Sequence, residues 1–289
     1  MIILLTSVIG LGLIYGLVAL GVYLTFRVIN FPDLSVDGSF PLGAATVATC
    51  IMHGVDPVLS TVFAVIAGML AGCVTGCLHV YLRIMGLLAG ILTMTALYSV
   101  NIRIMGRPNV ALLDMATVFP SHASELWILL GIVLAIIIAL MFFLASHAGL
   151  ALRAVGANPL MSRTYGVHIG KMKILALSLS NGLVALAGAL FAEMQGFADV
   201  SLGTGTIVIG LASIMLGEAI TGVRNIKIDL IGCLIGSLLY RSAIAFALNS
   251  SIFGLQASDL NAITAGLVVL ALVIPRLLGS LPKRVRIRG

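Results

Sequence analysis

The chain has 289 residues, of which 61% are hydrophobic and only 9% charged, with a formal net charge of +6 and a mean hydropathy of +1.21. A soluble domain carries roughly 25% charged residues, so this composition excludes a water-exposed globular fold and requires an apolar outer surface, as in a bilayer. Thirty-two Gly and twelve Met suit helices packed closely in lipid, where small residues let backbones approach.

A helix rising about 1.5 Å per residue needs about 17 to 25 apolar residues to cross about 30 Å of hydrocarbon. Candidate runs occur at residues 2–26, 39–53, 57–82, 87–105, 125–146, 173–194, 204–220, 228–248 and 260–274. They predict an all-α, polytopic membrane protein of about nine transmembrane helices forming a single domain over residues 1–289. The first run has no basic leader region and no A-x-A-like cleavage site before Arg27, and is read as a retained span. The second and seventh are too short to cross comfortably unless their flanks help.

Between the first two runs the chain breaks and restarts. Pro32 disfavours continuation of the first helix, Gly38 permits a tight turn, and Ser39 is placed to cap a new helix with Pro41 in its first turn. Asp33 and Asp37 sit at this break, either capping exposed amides or gating a pathway. Further along, Thr93, Thr95, Tyr98, Asn101, Ser178, Ser180, Asn181, Ser213, Tyr240 and Arg241 are the polar residues inside spans. They are candidates for lining a pathway, or equally for gluing helices together. Ser178 and Asn181, three apart, share a face. Arg241 should approach the outer interface, where it either snorkels or faces an outer vestibule and attracts a carboxylate.

The loop at residues 149–171 carries a stronger signal. Asn158 followed by Pro159 is a helix start with an amide cap and a proline at the first position, and Gly166 offers the stop. The intervening helix of about two turns is too short to stand alone in water. Its exposed set, Leu160, Met161, Arg163 and Tyr165, suits a knob that docks on another protein; the plainer reading is a solvated loop with a local cap.

Asp33-Leu34-Ser35-Val36 is echoed by Asp199-Val200-Ser201-Leu202, each leading into a short glycine-containing run. With five spans between equivalent helices the two loops fall on opposite faces, the pattern of an inverted repeat.

Basic residues mark the cytoplasmic face. With the N-terminus outside and the C-terminus inside, the inner face holds Arg27, Arg83, Arg153, Arg163, Lys171, Lys173, Arg224, Lys227, Arg276, Lys283, Arg284, Arg286 and Arg288, leaving Arg103 and Arg107 outside. The positive charge therefore calls for no nucleic acid; the basic tail at residues 280–289 suits anionic inner-leaflet lipid. Cys50, Cys73, Cys77 and Cys233 fall in apolar runs with no metal-type spacing to any His, and read as small hydrophobes.

The run from Arg153 through Gly156, Asn158-Pro159 and Gly166 into Gly170-Lys171 resembles the cytoplasmic loop of permease subunits of bacterial ATP-binding-cassette importers, in the branched-chain amino acid and ribose permease family. The resemblance continues through Ser180–Leu190, Gly203-Thr-Gly205 and Leu216-Gly217-Glu218-Ala219. Upstream, Asp33–Gly43 is similar to the family's early signature, with Ser35 where threonine is common. Residues 87–101 look most like a subgroup associated with tryptophan- and tyrosine-type uptake.

The resemblance implies an importer permease of the bacterial inner membrane. It would work as a homodimer with two cytoplasmic ATPase subunits and an extracytoplasmic substrate-binding protein. Residues 158–165 would be the coupling helix, with Arg153 and Arg163 flanking the docking surface. The solute would be a small molecule, an amino acid with the aromatic ones favoured, with a sugar or nucleoside as the alternative and a secondary carrier more remote. No cofactor would bind this chain; the partner ATPase would use ATP and Mg. Consistent with this, the sequence has no G-x-x-x-x-G-K-[ST] phosphate loop, no ionisable relay across the spans and no mid-span nucleophile beside a histidine base.

Overall fold

The computed structural model describes residues 2–113, 115–119, 122–222 and 225–249, with positions 266 and 269. The predicted ninth span at 260–274, the tail at 280–289 and Arg224 lie outside the described residues. In chain order the helices are α1 (Ile2–Tyr23), α2 (Val36–Met52), α3 (Pro57–Val80), α4 (Gly86–Met105), α5 (His122–Ala145), α6 (His147–Ala157), α7 (Pro159–Thr164), α8 (Ile169–Gln195), α9 (Thr206–Thr221) and α10 (Ile226–Asn249). A π-helical turn, Leu24–Val28, extends α1, and a 3-10 turn, Val200–Gly203, precedes α9. Eight of the predicted runs thus coincide with helices. Seven segments among the described residues are long and apolar enough to cross a membrane; α2, with 17 residues, is shorter.

Two features depart from the elements expected. Residues Asn109–Ala111 (β1) and Phe197–Asp199 (β2) pair antiparallel, with Asn109 opposite Asp199, and tie the end of α4 to the end of α8. The stretch before Asn158, expected as loop, is α6: Ser146 caps it by accepting from Gly149 N at 3.4 Å, and Gly149, Leu152 and Val155 form its buried stripe.

The core is built around α1, whose Ile14, Leu17, Val18 and Leu20 are fully buried among α5, α8, α9 and α10. Backbone approach rather than bulk sets the packing of α3 on α8. A Cβ at Gly72 would lie 2.2 Å from Leu177 O, and one at Gly68 2.5 Å from Asn181 O, so the glycine row on α3 is what lets the two helices meet. The outward faces of α3, α4 and α5 expose large apolar side chains such as Leu70, Leu88 and Phe142, as lipid or a membrane partner requires.

Candidate functional site

Asn181, near the middle of the 27-residue α8, is fully buried and organises the start of α2. Its Nδ2 donates to Asp33 Oδ2 at 2.8 Å and to Leu177 O at 3.0 Å, while its Oδ1 accepts from Ser39 Oγ at 2.6 Å and lies 3.1 Å from Ser35 Oγ. Asp33 Oδ1 in turn accepts from Ser35 N at 2.9 Å and from Ser35 Oγ. This turn starts the helix at Val36, three residues earlier than expected. Ser39 is therefore not the cap; its hydroxyl serves Asn181 instead. Pro41 is correspondingly interior, and its missing N–H leaves the Asp37 carbonyl without a helical donor.

Asp37 caps a helix, but not its own. Its carboxylate accepts from Ile207 N at 2.7 Å and Gly205 N at 3.2 Å, the first turn of α9. The freed Asp37 carbonyl is covered by Gly203, where a Cβ would come within 1.8 Å of the oxygen. The start of α2 and the start of α9 therefore meet. From this junction α2 runs toward the end of α4, where Thr49 Oγ1 donates to Ile104 O at 3.2 Å, and α9 runs the other way, to an ion pair between Glu218 and Arg27 at the end of α1. The echo in the sequence is a shared turn geometry: Asp199 Oδ1 accepts from Ser201 N at 2.7 Å and from Ser201 Oγ, as Asp33 does from Ser35. Partial burial works against ionisation of Asp199, but these bonds and one from Asn109 Nδ2 hold its carboxyl below the ordinary range.

Beside the junction lies a cavity of about 140 Å³ lined by Asp37, Gly38, Pro41, Met94, Tyr98, Asn101, Val200, Ser201, Gly203 and Thr204. It brings together four residues named from the sequence for two different roles: Asp37 and Gly38 from the helix break, Tyr98 and Asn101 from the polar set. Asn101 is fully buried and donates from Nδ2 to Gly38 O at 3.3 Å. Tyr98 is 57% exposed at the outer edge.

The other polar candidates go elsewhere. Thr93 bonds Thr75 of α3 at 2.9 Å, Ser178 donates to Met69 O at 2.9 Å and Ser180 to Gly21 O at 2.7 Å, all helix-to-helix ties. Ser213 and the exposed Thr95 donate back to their own helices. The guanidinium of Arg241 lies 4.6 Å over the ring of buried Tyr15 of α1. Ser35, Ser39 and the 3-10 residues Ser201 and Gly203 were not among the site residues read from the sequence. The repeated Asp-x-Ser was the available signal for Ser35 and Ser201; Ser39 was singled out only as a helix cap.

At the opposite end, α7 is the short helix expected. Asn158 Oδ1 accepts from Met161 N at 3.1 Å, Pro159 takes the first position, and Gly166 ends it with φ +80°. Leu160, Met161, Arg163 and Tyr165 all project outward, Leu160 at 79% and Tyr165 at 75% exposure, while Ser162 turns inward. Arg153 stands on α6, the helix that precedes α7. There it lines a separate hollow of about 460 Å³ with Met141, Leu144 and Lys227. The platform beneath is rigid: α6 presses on the end of α1 so closely that a Cβ at Gly156 would lie 1.8 Å from Val28 O. Among the described residues no cluster of His, Cys, Asp or Glu could hold a metal.

Comparison with known proteins places these features in a family. The family described as branched-chain amino acid transport system, permease component, matches residues 4–274. A tyrosine transport system permease protein of Clostridioides difficile is 40% identical over 277 residues, covering 96% of this chain and 93% of that one. A ribose import permease of Bacillus subtilis is 31% identical over 237 residues, covering 78% and 71%. Among solved structures, PsaBC from Streptococcus pneumoniae in complex with Fab aligns over 96% of this chain and 93% of its own, with a TM-score of 0.56 and 16% identity, a likeness of fold.

Proposed function

The chain belongs to the branched-chain amino acid transport permease family and is a multi-pass inner-membrane protein, and from that premise we propose that it forms the translocation path of an ATP-driven amino acid importer, with L-tyrosine or a related aromatic amino acid as cargo. The observation that carries the coupling half of this reading is α7: a capped six-residue helix presenting Leu160, Met161, Arg163 and Tyr165 to the outside on a rigid base. Apolar anchors around one cation fit a groove on a cytoplasmic ATPase. The 40% identity to a tyrosine permease supports the cargo; the ribose permease relative favours sugar transport as the second reading.

In this mechanism the chain pairs with a second copy, two ATPases dock on the paired α7 knobs, and a binding protein delivers solute at the β1–β2 end. ATP and Mg act in the partner subunits. Closure of the ATPases drives the knobs together. The motion passes from α6 into the end of α1 through the Gly156–Val28 contact, then through the Arg27–Glu218 ion pair into α9. The far end of α9 is held by Asp37 at the cavity. Glu218 and Asp37 thus grip opposite ends of one 16-residue rod, about 24 Å long at 1.5 Å per residue.

The test is ATP hydrolysis by the assembled complex in proteoliposomes. Tyr165→Ala and Arg163→Glu should abolish stimulation by loaded binding protein while leaving the permease folded. Stimulation equal to wild type would contradict the docking assignment, and uptake that survives an ATPase-dead partner would point to a secondary carrier.

A further inference from the structure

Among the residues around the cavity at the α2–α9 junction, Asn101 carries a polar atom that the fold leaves unused. Asn101 Oδ1 is buried and has no hydrogen-bond partner among the described residues, although Asn101 lines the cavity. Reversing the amide would set its oxygen against the Gly38 carbonyl, so the Gly38 contact fixes which end is the acceptor. An unsatisfied buried acceptor costs about 1–3 kcal/mol and is uncommon in native proteins. Here the neighbouring wall carries the Asp37 carboxylate, whose two oxygens each accept one backbone N–H from α9 and retain further lone-pair capacity. The set is therefore acceptors with a negative charge and no basic side chain among the lining residues.

The geometry points to a station for the ammonium group of the transported amino acid, with Asn101 Oδ1 and the Asp37 carboxylate as its acceptors. This rests on the importer reading and names the chemistry of one step within it. A cavity of about 140 Å³ is close to the size, roughly 150 Å³, that holds a benzene-sized molecule. It thus admits the main-chain end of an amino acid, while a large side chain projects past half-exposed Tyr98. Because Asp37 also holds the first turn of α9, an arriving ammonium competes with Gly205 and Ile207 for the same carboxylate. Loading the station thereby loosens the end of the helix whose other end is tied to Arg27.

The experiment uses the permease–ATPase complex in nanodiscs without binding protein, probed by saturation-transfer NMR with L-tyrosine and with 3-(4-hydroxyphenyl)propionate, which lacks only the ammonium group. Wild type should bind L-tyrosine at least about tenfold better, because a site built around buried acceptors rejects the ligand lacking the donor. Asn101→Leu should lose that preference. Met94→Trp, which fills the cavity and leaves Asn101 in place, should lose binding of both probes. Equal signals from the two probes, no signal from either as for a pocket holding only water, or full L-tyrosine binding by either variant would each overturn the station. Uptake of the twenty amino acids by wild-type proteoliposomes, measured in parallel, separates the two readings: uptake without an NMR signal sinks the station alone, and absence of all uptake sinks the importer.

Discussion

Replacing Asn181 by Leu tests the junction at its root. The side chain is fully buried and engages Asp33, Ser39 and Leu177 at once, with Ser35 within reach. Leaving a buried carboxyl or a buried hydroxyl without its partner costs about 1–3 kcal/mol each. The expected loss is therefore about 3–5 kcal/mol. Ser180→Ala on the same helix is the control. It removes one neutral bond, from Ser180 Oγ to Gly21 O; neutral interhelical bonds in membranes average about 0.6 kcal/mol. Equilibrium unfolding of the purified chain in mixed micelles compares the two. Asn181→Leu falling within about 1 kcal/mol of Ser180→Ala would refute the claim that Asn181 holds a buried, water-excluded polar turn. Asn181→Asp should be no better than Leu, because it places a second carboxylate against Asp33.

Three further outcomes follow from named contacts. Gly203→Val should lower uptake at least about tenfold with ATP hydrolysis retained, since its Cβ collides with the Asp37 carbonyl and drives the 3-10 turn off α2; wild-type uptake would show the contact to be slack. Asn158→Ala should cost about 1 kcal/mol of helix capping and weaken ATPase docking in pull-down titrations, with Asn158→Asp restoring it. Glu218→Gln should change stability by less than about 1 kcal/mol, because Arg27 is 40% exposed and the pair is screened, yet reduce solute moved per ATP. An unchanged ratio would remove α9 as the transmitting rod.

Much of this protein was legible from composition and local pattern alone. Hydropathy located eight of the helices because a bilayer imposes one length scale and one polarity on every segment that crosses it. Asn158, Pro159 and Gly166 announced α7, because capping acts over three or four residues and is written locally. The break at Pro32 was equally visible, though its exact cap was not. Ser35 starts the helix only because Asp33 is turned inward by Asn181, which lies 148 positions away. The same limit hid the burial of Asp33: counting spans assumes that every loop reaches a surface, and this one is held inside the bundle. The fold also brings Asp37 against Gly205 and Ile207, buries Asn101 beside them and sets Arg241 over Tyr15. Sequence determined which segments are long and apolar enough to lie in lipid and where the short capped helix α7 forms. Only tertiary structure decided which polar groups meet there, because a hydrogen bond between helices depends on their relative depth and rotation, and neither quantity is encoded in a single span.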